Sequence, residues 1–194
     1  MFDRLELKNA AKSQIKGNIG TLFIAMLLMA VITSVASFVS WLIAPAFVIS
    51  FAMIYLKLID GQKPQVGNIF DGFSIFGKAF WLSIITSFFI MLWSLLLIVP
   101  GIMKTYAYMM APYILAENPE LKAREALNES KRITDGHKMN LFVLHLSFIG
   151  WGLLGIVTMG IAFIYVIPYI EATTANAYKK LKAENKQIAA DSQA

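Results

Sequence analysis

The sequence has no cysteine, only two histidines, and charged residues at just 15% of its 194 positions. Without cysteine there is no disulfide scaffold, thiolate metal site or thiol redox centre. The histidines, His137 and His145, match no zinc-protease spacing, and no serine sits in a nucleophile elbow. No glycine-rich phosphate loop is present. Gly150-Trp151-Gly152-Leu153-Leu154-Gly155 has the glycine spacing of a dinucleotide loop, but it follows no strand and lies in an apolar helical stretch, where glycines serve packing. These absences lead us to expect a non-enzymatic protein with no cofactor and no metal. Soluble domains carry roughly a quarter charged residues. Here 58% of residues are hydrophobic and the mean hydropathy is +0.63, more hydrocarbon than one core of this size hides. Lipid is expected to cover the remainder.

The charges that are present leave four uncharged windows, at 17–56, 79–103, 105–116 and 139–170. About 20 helical residues cross the roughly 30 Å of hydrocarbon. The first window therefore fits two crossings, near 19–39 and 44–59, with a break around Ser40 to Pro45. Pro100-Gly101 divides the next stretch into helices near 78–99 and 102–117, because proline lacks a donor and glycine tolerates positive φ. The last window is too short for two crossings unless its second helix runs on through Glu171 to Tyr178, with the turn at Thr158-Met159-Gly160. The expected fold is all-α: a polytopic bundle of six transmembrane helices in three hairpins. A basic helix at 1–18 precedes the 19–178 transmembrane domain, and a basic to polar, disordered tail follows at 179–194.

All charges except Glu171 and Lys104 fall in segments 1–16, 57–78, 117–138 and 179–194. If those segments face the cytoplasm, the positive-inside rule is nearly saturated. That predicts an inner-membrane protein with both termini cytoplasmic and three tight outer turns. The first apolar window is too long for a cleavable signal peptide. Two hairpins also resemble each other. Trp93 leads through Pro100-Gly101-Ile102 to Ala111-Pro112-Tyr113, and Trp151 through Gly160-Ile161 to Ile167-Pro168-Tyr169. Asp71-Gly72 with Lys78 precedes one, and Asp135-Gly136 with Lys138 the other. A tandem duplication or chance similarity of apolar runs would both give this pattern. In either case Pro100, Gly101, Pro112 and Pro168 are candidate hinges, and carbonyls freed by Pro112 and Pro168 could line a cavity.

On the cytoplasmic side, Arg4, Lys8, Lys12 and Lys16 form a slowly drifting helical stripe, and Lys179, Lys180 and Lys182 follow the last span. Both suit anionic headgroups, at about 1 kcal/mol per cation, so the bilayer is the expected partner and nucleic acid is not. Asn118-Pro119 reads as the start of a helix over 119–133 lying along the inner interface, with docking of a cytoplasmic partner as the alternative. Within the apolar windows, Glu171, His145 and Lys104 are the candidate ligand or ion groups. Each also has a structural reading, which we favour: a hydrogen-bonded glutamate, a histidine bonded between helices, and a lysine snorkelling outward from the turn after Pro100-Gly101. Thr173, Thr174 and Asn176 would either extend a polar face around Glu171 or pack helices.

Taken in order, Glu6-Leu7-Lys8, Lys16-Gly17-Asn18, Trp93 through Pro100-Gly101-Ile102, Glu125-Ala126-Leu127 through Ser130, Gly136-His137-Lys138, Leu141-Phe142, Ser147 through Trp151, and Pro168-Tyr169 resemble a bacterial family of small multi-pass membrane proteins of unknown function, common in Gram-positive bacteria. The likeness spans nearly the whole chain and extends to the membrane portion of some glycerophosphodiester phosphodiesterases, without their catalytic domain. It implies fold and location but no substrate or active site. Two functions follow as expectations. One is an accessory or regulatory membrane subunit in envelope homeostasis or export. The other is a small transporter or channel, using the proline-bent helices and Glu171 and requiring a homo-oligomer.

Overall fold

The computed structural model describes residues 4–35 and 37–191. Among these the regular structure is all helix: α1 Arg4–Ile15, α2 Ile19–Val35, α3 Ser37–Ile59, a 3-10 segment Val66–Ile75, α4 Phe76–Leu96, α5 Ile98–Tyr108, α6 Ala111–Glu117, α7 Ala123–Ile133, α8 Lys138–Leu146, α9 Ile149–Val157 and α10 Phe163–Asp191. Three stretches are long and apolar enough to cross a membrane: Ser40–Ile59, Val66–Leu95 and Lys138–Val157. A fourth counts only if Arg4–Ile15 and Ile19–Ile32, bent by 85° at Gly17, are one broken span.

Helix α10 is the axis of the fold, packing against α1, α2, α3, α7 and α9. It buries Tyr169, Ala172, Thr173, Ala175, Ala177, Tyr178 and Leu181, and its small residues let neighbouring helices approach closely. The threonine hydroxyls donate to carbonyls four residues back, Thr173 to Tyr169 at 2.7 Å and Thr174 to Ile170 at 2.9 Å, so they need no other partner. The outer side of α4 is the opposite case. Trp81, Phe88, Met91 and Leu95 are exposed, a surface that water does not suit.

Several expected boundaries move. The break at Ser40 to Pro45 is not there, because α3 runs through Pro45, and the junction with α2 passes position 36, outside the described residues. Pro100-Gly101 does not break the chain itself. The break is at Leu97, and Pro100 falls in the first turn of α5, where a missing N–H costs nothing. Gly101 is required by contact: a Cβ there would lie 2.3 Å from Ser94 Oγ and 2.9 Å from Ser94 Cα. The expected helix 102–117 is divided at Met109-Met110, so Pro112 opens α6 instead of bending a longer helix. In the second hairpin α10 passes Pro168 unbroken, so the returning arms of the two similar hairpins differ. The turn at Thr158-Met159-Gly160 is where the sequence put it, with Met159 at φ 53° and Gly160 at φ 94°. The tail is helical to Asp191, not disordered; 192–194 and 1–3 lie outside the described residues.

The helix expected over 119–133 starts at Ala123, four residues later than expected, with the Lys122 N–H donating to Glu125 Oε2 at 2.7 Å. Its apolar side, Ala123, Ala126, Leu127, Ser130 and Ile133, has helical spacing and is buried against α4, α5 and α6. Ser130 Oγ donates to the Ala107 carbonyl at 2.7 Å. Its apolar face is therefore used up within the protein instead of lying on lipid.

The tightest packing joins the 3-10 segment to α3. Gly72 N–H donates to Ser50 Oγ at 2.9 Å, and that hydroxyl donates to the Ala46 carbonyl at 3.0 Å. A Cβ on Gly72 would sit 2.1 Å from the Ala46 carbonyl oxygen, and backbone cannot yield as a flexible side chain can. Gly72→Ala is expected to cost about 1–3 kcal/mol, measured as a lowered midpoint of thermal unfolding in detergent. Gly77→Ala, at a position with open space around it, serves as the control and should change little.

Candidate functional site

Glu171 lies eight residues into α10 and keeps partial exposure. Tyr113, near the start of α6, donates its hydroxyl to Glu171 Oε2 at 3.2 Å. Tyr55 of α3 is fully buried within electrostatic reach of both, and its hydroxyl has no hydrogen-bond partner among the described residues. Two helical turns along α10, Tyr178 stacks on Tyr113 with centroids 5.6 Å apart and donates to Glu117 Oε2 at 2.5 Å. Glu117 also takes Lys182 and, at 3.4 Å, Lys179, which reaches Asp60 at 3.1 Å. A single line of polar groups thus runs from Glu171 to the charged end of the bundle, joining α3, α6 and α10.

Electrostatics at the charged end follow from the contacts. Burial alone would raise the Glu117 carboxyl, but hydrogen bonds from Lys182 and Tyr178 and the charges of Lys182 and Lys179 outweigh it and hold it below the ordinary value. Burial would lower Lys179, but Asp60 and Glu117 hold it above the ordinary lysine value.

The other sequence-selected residues are placed as follows. His145 Nδ1 is 2.9 Å from the Leu141 carbonyl, its Nε2 is 3.5 Å from Thr174 Oγ1, and its ring meets Tyr106 at 5.7 Å; it does not join Glu171. Asn176 and Gln14 exchange side-chain hydrogen bonds at 2.6 and 3.2 Å, fastening α1 to α10. Of the basic stripe, Lys8 lies 4.5 Å over the Phe148 ring and Lys12 5.7 Å over Tyr169, while Arg4 and Lys16 are exposed. Burial, then the charges of Arg4 and Lys12, keep Lys8 below the ordinary lysine value. Lys180 pairs with Glu6 at 3.3 Å, so the cluster after the last span is tied into the protein. Lys104 does not stand apart near an outer turn. It lies 4.8 Å over the Trp93 ring and lines one cleft with Lys131, Arg132 and Lys138. Helix α5 has only 11 residues, about 16 Å, and ends against α7. Among the described residues no group of histidine and carboxylate side chains could hold a metal ion.

Sequence reading missed Tyr55, Tyr113, Glu117 and Asp60. A partial signal existed, since Tyr113 and Glu117 are four apart and Glu171 and Tyr178 seven apart, each pair on one helix face. Which faces meet is not encoded in those spacings.

A family model described as "Protein of unknown function (DUF975)" matches residues 1–104 and again 95–185. The chain belongs to this family. The two matched stretches overlap at the turn between α4 and α5. Comparisons with curated proteins and with solved structures gave no match. Family membership agrees with the unknown-function family recognised from the motifs and brings no substrate.

Two predictions follow from the contacts. Tyr113→Phe removes the donor to Glu171 and should destabilise by about 1–3 kcal/mol, whereas Tyr55→Phe deletes a hydroxyl that bonds nothing and should be neutral or stabilising; thermal unfolding of the two variants in one detergent checks the order. For Glu117, a folded-state value below the ordinary 4.5 means its stabilisation is complete above that pH and is lost as pH falls through the lowered value. Glu117→Gln should therefore cost about 1–3 kcal/mol at pH 7, and its deficit should shrink toward zero as the pH is taken well below 4.5.

Proposed function

We propose that this is a non-enzymatic multi-pass membrane protein acting as an accessory or regulatory subunit through its charged face. Its helices form three hairpins: α2 with α3, α4 with α5 and α6, and α8 and α9 with α10. Charged segments share one side, which the positive-inside rule makes cytoplasmic, with both termini there. Lys104 supports that orientation, since its cleft puts it beside the loop cations. The observation that carries the functional reading is the ion-pair system at the charged end, Asp60–Lys179–Glu117–Lys182 with Glu6–Lys180 and Lys57–Asp71. It joins α1, α3, α6 and α10 on one charged face. Arg124 and Glu125 on the outer side of α7 remain exposed, and such a face suits a protein partner.

The second reading, a transporter or channel, is favoured by one observation: the unpartnered Tyr55 hydroxyl near Glu171. Against it, the clefts beside α7 are lined by neither Glu171 nor His145. The cysteine-free chain allows single cysteines at 168–178 to be labelled with permeant and impermeant thiol reagents, alongside proton and cation flux in proteoliposomes. The accessory reading expects protection at 171 and one turn to either side, with wild type and Glu171→Gln both at the flux of protein-free vesicles. Labelling at 171 together with flux lost in Glu171→Gln would replace it with the transport reading.

A further inference from the structure

Most cations of this chain near its clefts have a carboxylate beside them; Lys104 and Lys131 do not. Arg132 is held by Glu129 at 2.6 Å and Lys138 by Asp135 at 3.0 Å. Lys104 has the Trp93 ring at 4.8 Å, and Lys131 has Tyr108 at 5.4 Å and Phe89 at 5.9 Å, with no ion-pair partner for either among the described residues. Both are half-buried. A ring face attracts an ammonium but does not neutralise it, so two like charges face one cleft uncompensated.

That cleft, of about 620 Å³, is formed by α5, α7 and the start of α8 against the end of α4. Its size suits a small ligand or a lipid headgroup. Asn128 lines it, and its side-chain amide makes no hydrogen bond within the described residues. Asp135 is the one carboxylate in the lining, and Lys138 holds it. The other wall is apolar, with Trp93 and Met103. From there the exposed side chains of Leu95, Val99 and Ile102 continue along α4 and α5. An inorganic anion would use the cations and leave this wall unused. A ligand with an anionic head and a hydrocarbon tail uses both, and basic pockets between membrane helices are suited to such headgroups.

We propose that this cleft holds the phosphate of an anionic phospholipid between Lys104 and Lys131, with its acyl chains along the exposed apolar surface of α4 and α5. The proposal rests on the membrane reading above, and the two fail separately, because insertion is measurable in purely zwitterionic bilayers.

The test uses the full chain in phosphatidylcholine nanodiscs doped with phosphatidylglycerol, with bound lipid counted by native mass spectrometry after release. Wild type should retain phosphatidylglycerol over phosphatidylcholine. The double variant Lys104→Gln/Lys131→Gln should bind it about 30-fold more weakly, from a factor of about five to six for each lysine near a surface, while Lys104→Arg/Lys131→Arg restores retention. Equal retention by wild type and the glutamine variant overturns the proposal. So does displacement of the lipid by millimolar inorganic phosphate, which would make the cleft a free-anion site. Because the glutamine variant could fail to fold, a photoactivatable phosphatidylglycerol on wild type provides a second measurement. Crosslinks concentrated in peptides covering 93–104 and 128–138 support the site, and crosslinks spread evenly over the apolar surface overturn it.

Discussion

The carboxylate of Glu117 takes hydrogen bonds from Tyr178, Lys179 and Lys182, and through Lys179 it is joined to Asp60. It stands at the end of α6, its donors lie along α10, and Asp60 follows α3, so three helices with no covalent proximity are held in register at one point. Buried apolar contact is non-directional and cannot choose among rotations of an apolar helix. Charged hydrogen bonds can, because they are directional and a half-buried carboxylate that loses its donors costs more than a lost apolar contact. Tyr113 stacking on Tyr178 and reaching Glu171 follows from that register, and the polar line through the bundle exists because Glu117 sets it.

Close backbone approach is the second constraint. Gly72 against α3 and Gly101 against the end of α4 occupy positions where a Cβ meets backbone or nearby side-chain atoms, and each fixes a segment that would otherwise be a loose connection. Gly72 brings the 3-10 segment onto α3, placing Asp71 where Lys57 meets it at 2.8 Å. Gly101 lets α5 fold back tightly on α4, and that fold-back carries Lys104 to α7. The charged layer is thus extended inward by geometry that originates in a glycine.

The surface of this protein divides between apolar and charged parts. Where helices meet, aromatic and small residues alternate, as with Trp151, Tyr165 and Tyr169 beside Ala172. Along α4 large side chains remain outside. α1 is the intermediate case: Leu7, Ala11 and Ile15 are buried while Lys8 and Lys12 rest on aromatic rings of the same protein, so a stripe that suits lipid headgroups also serves to fasten the helix across α10.

The sequence by itself determined the helical class, the positions of the long apolar stretches, the turn at Thr158-Met159-Gly160 and Glu171 as a polar residue within an apolar helix. All of these depend on local quantities, namely hydropathy along one helix, glycine at a turn and the rarity of charge. Tertiary structure alone decided that Glu171 meets Tyr113, that Lys104 joins Lys131, that Pro100 and Pro112 begin helices, and that the face of α7 is spent on protein. Each of these is a matter of which helix faces meet and at what height. A helix's own sequence fixes its stripe of apolar residues, but in a chain where nearly every face is apolar the stripe no longer selects a partner, and only the few polar contacts and the closest backbone approaches do so.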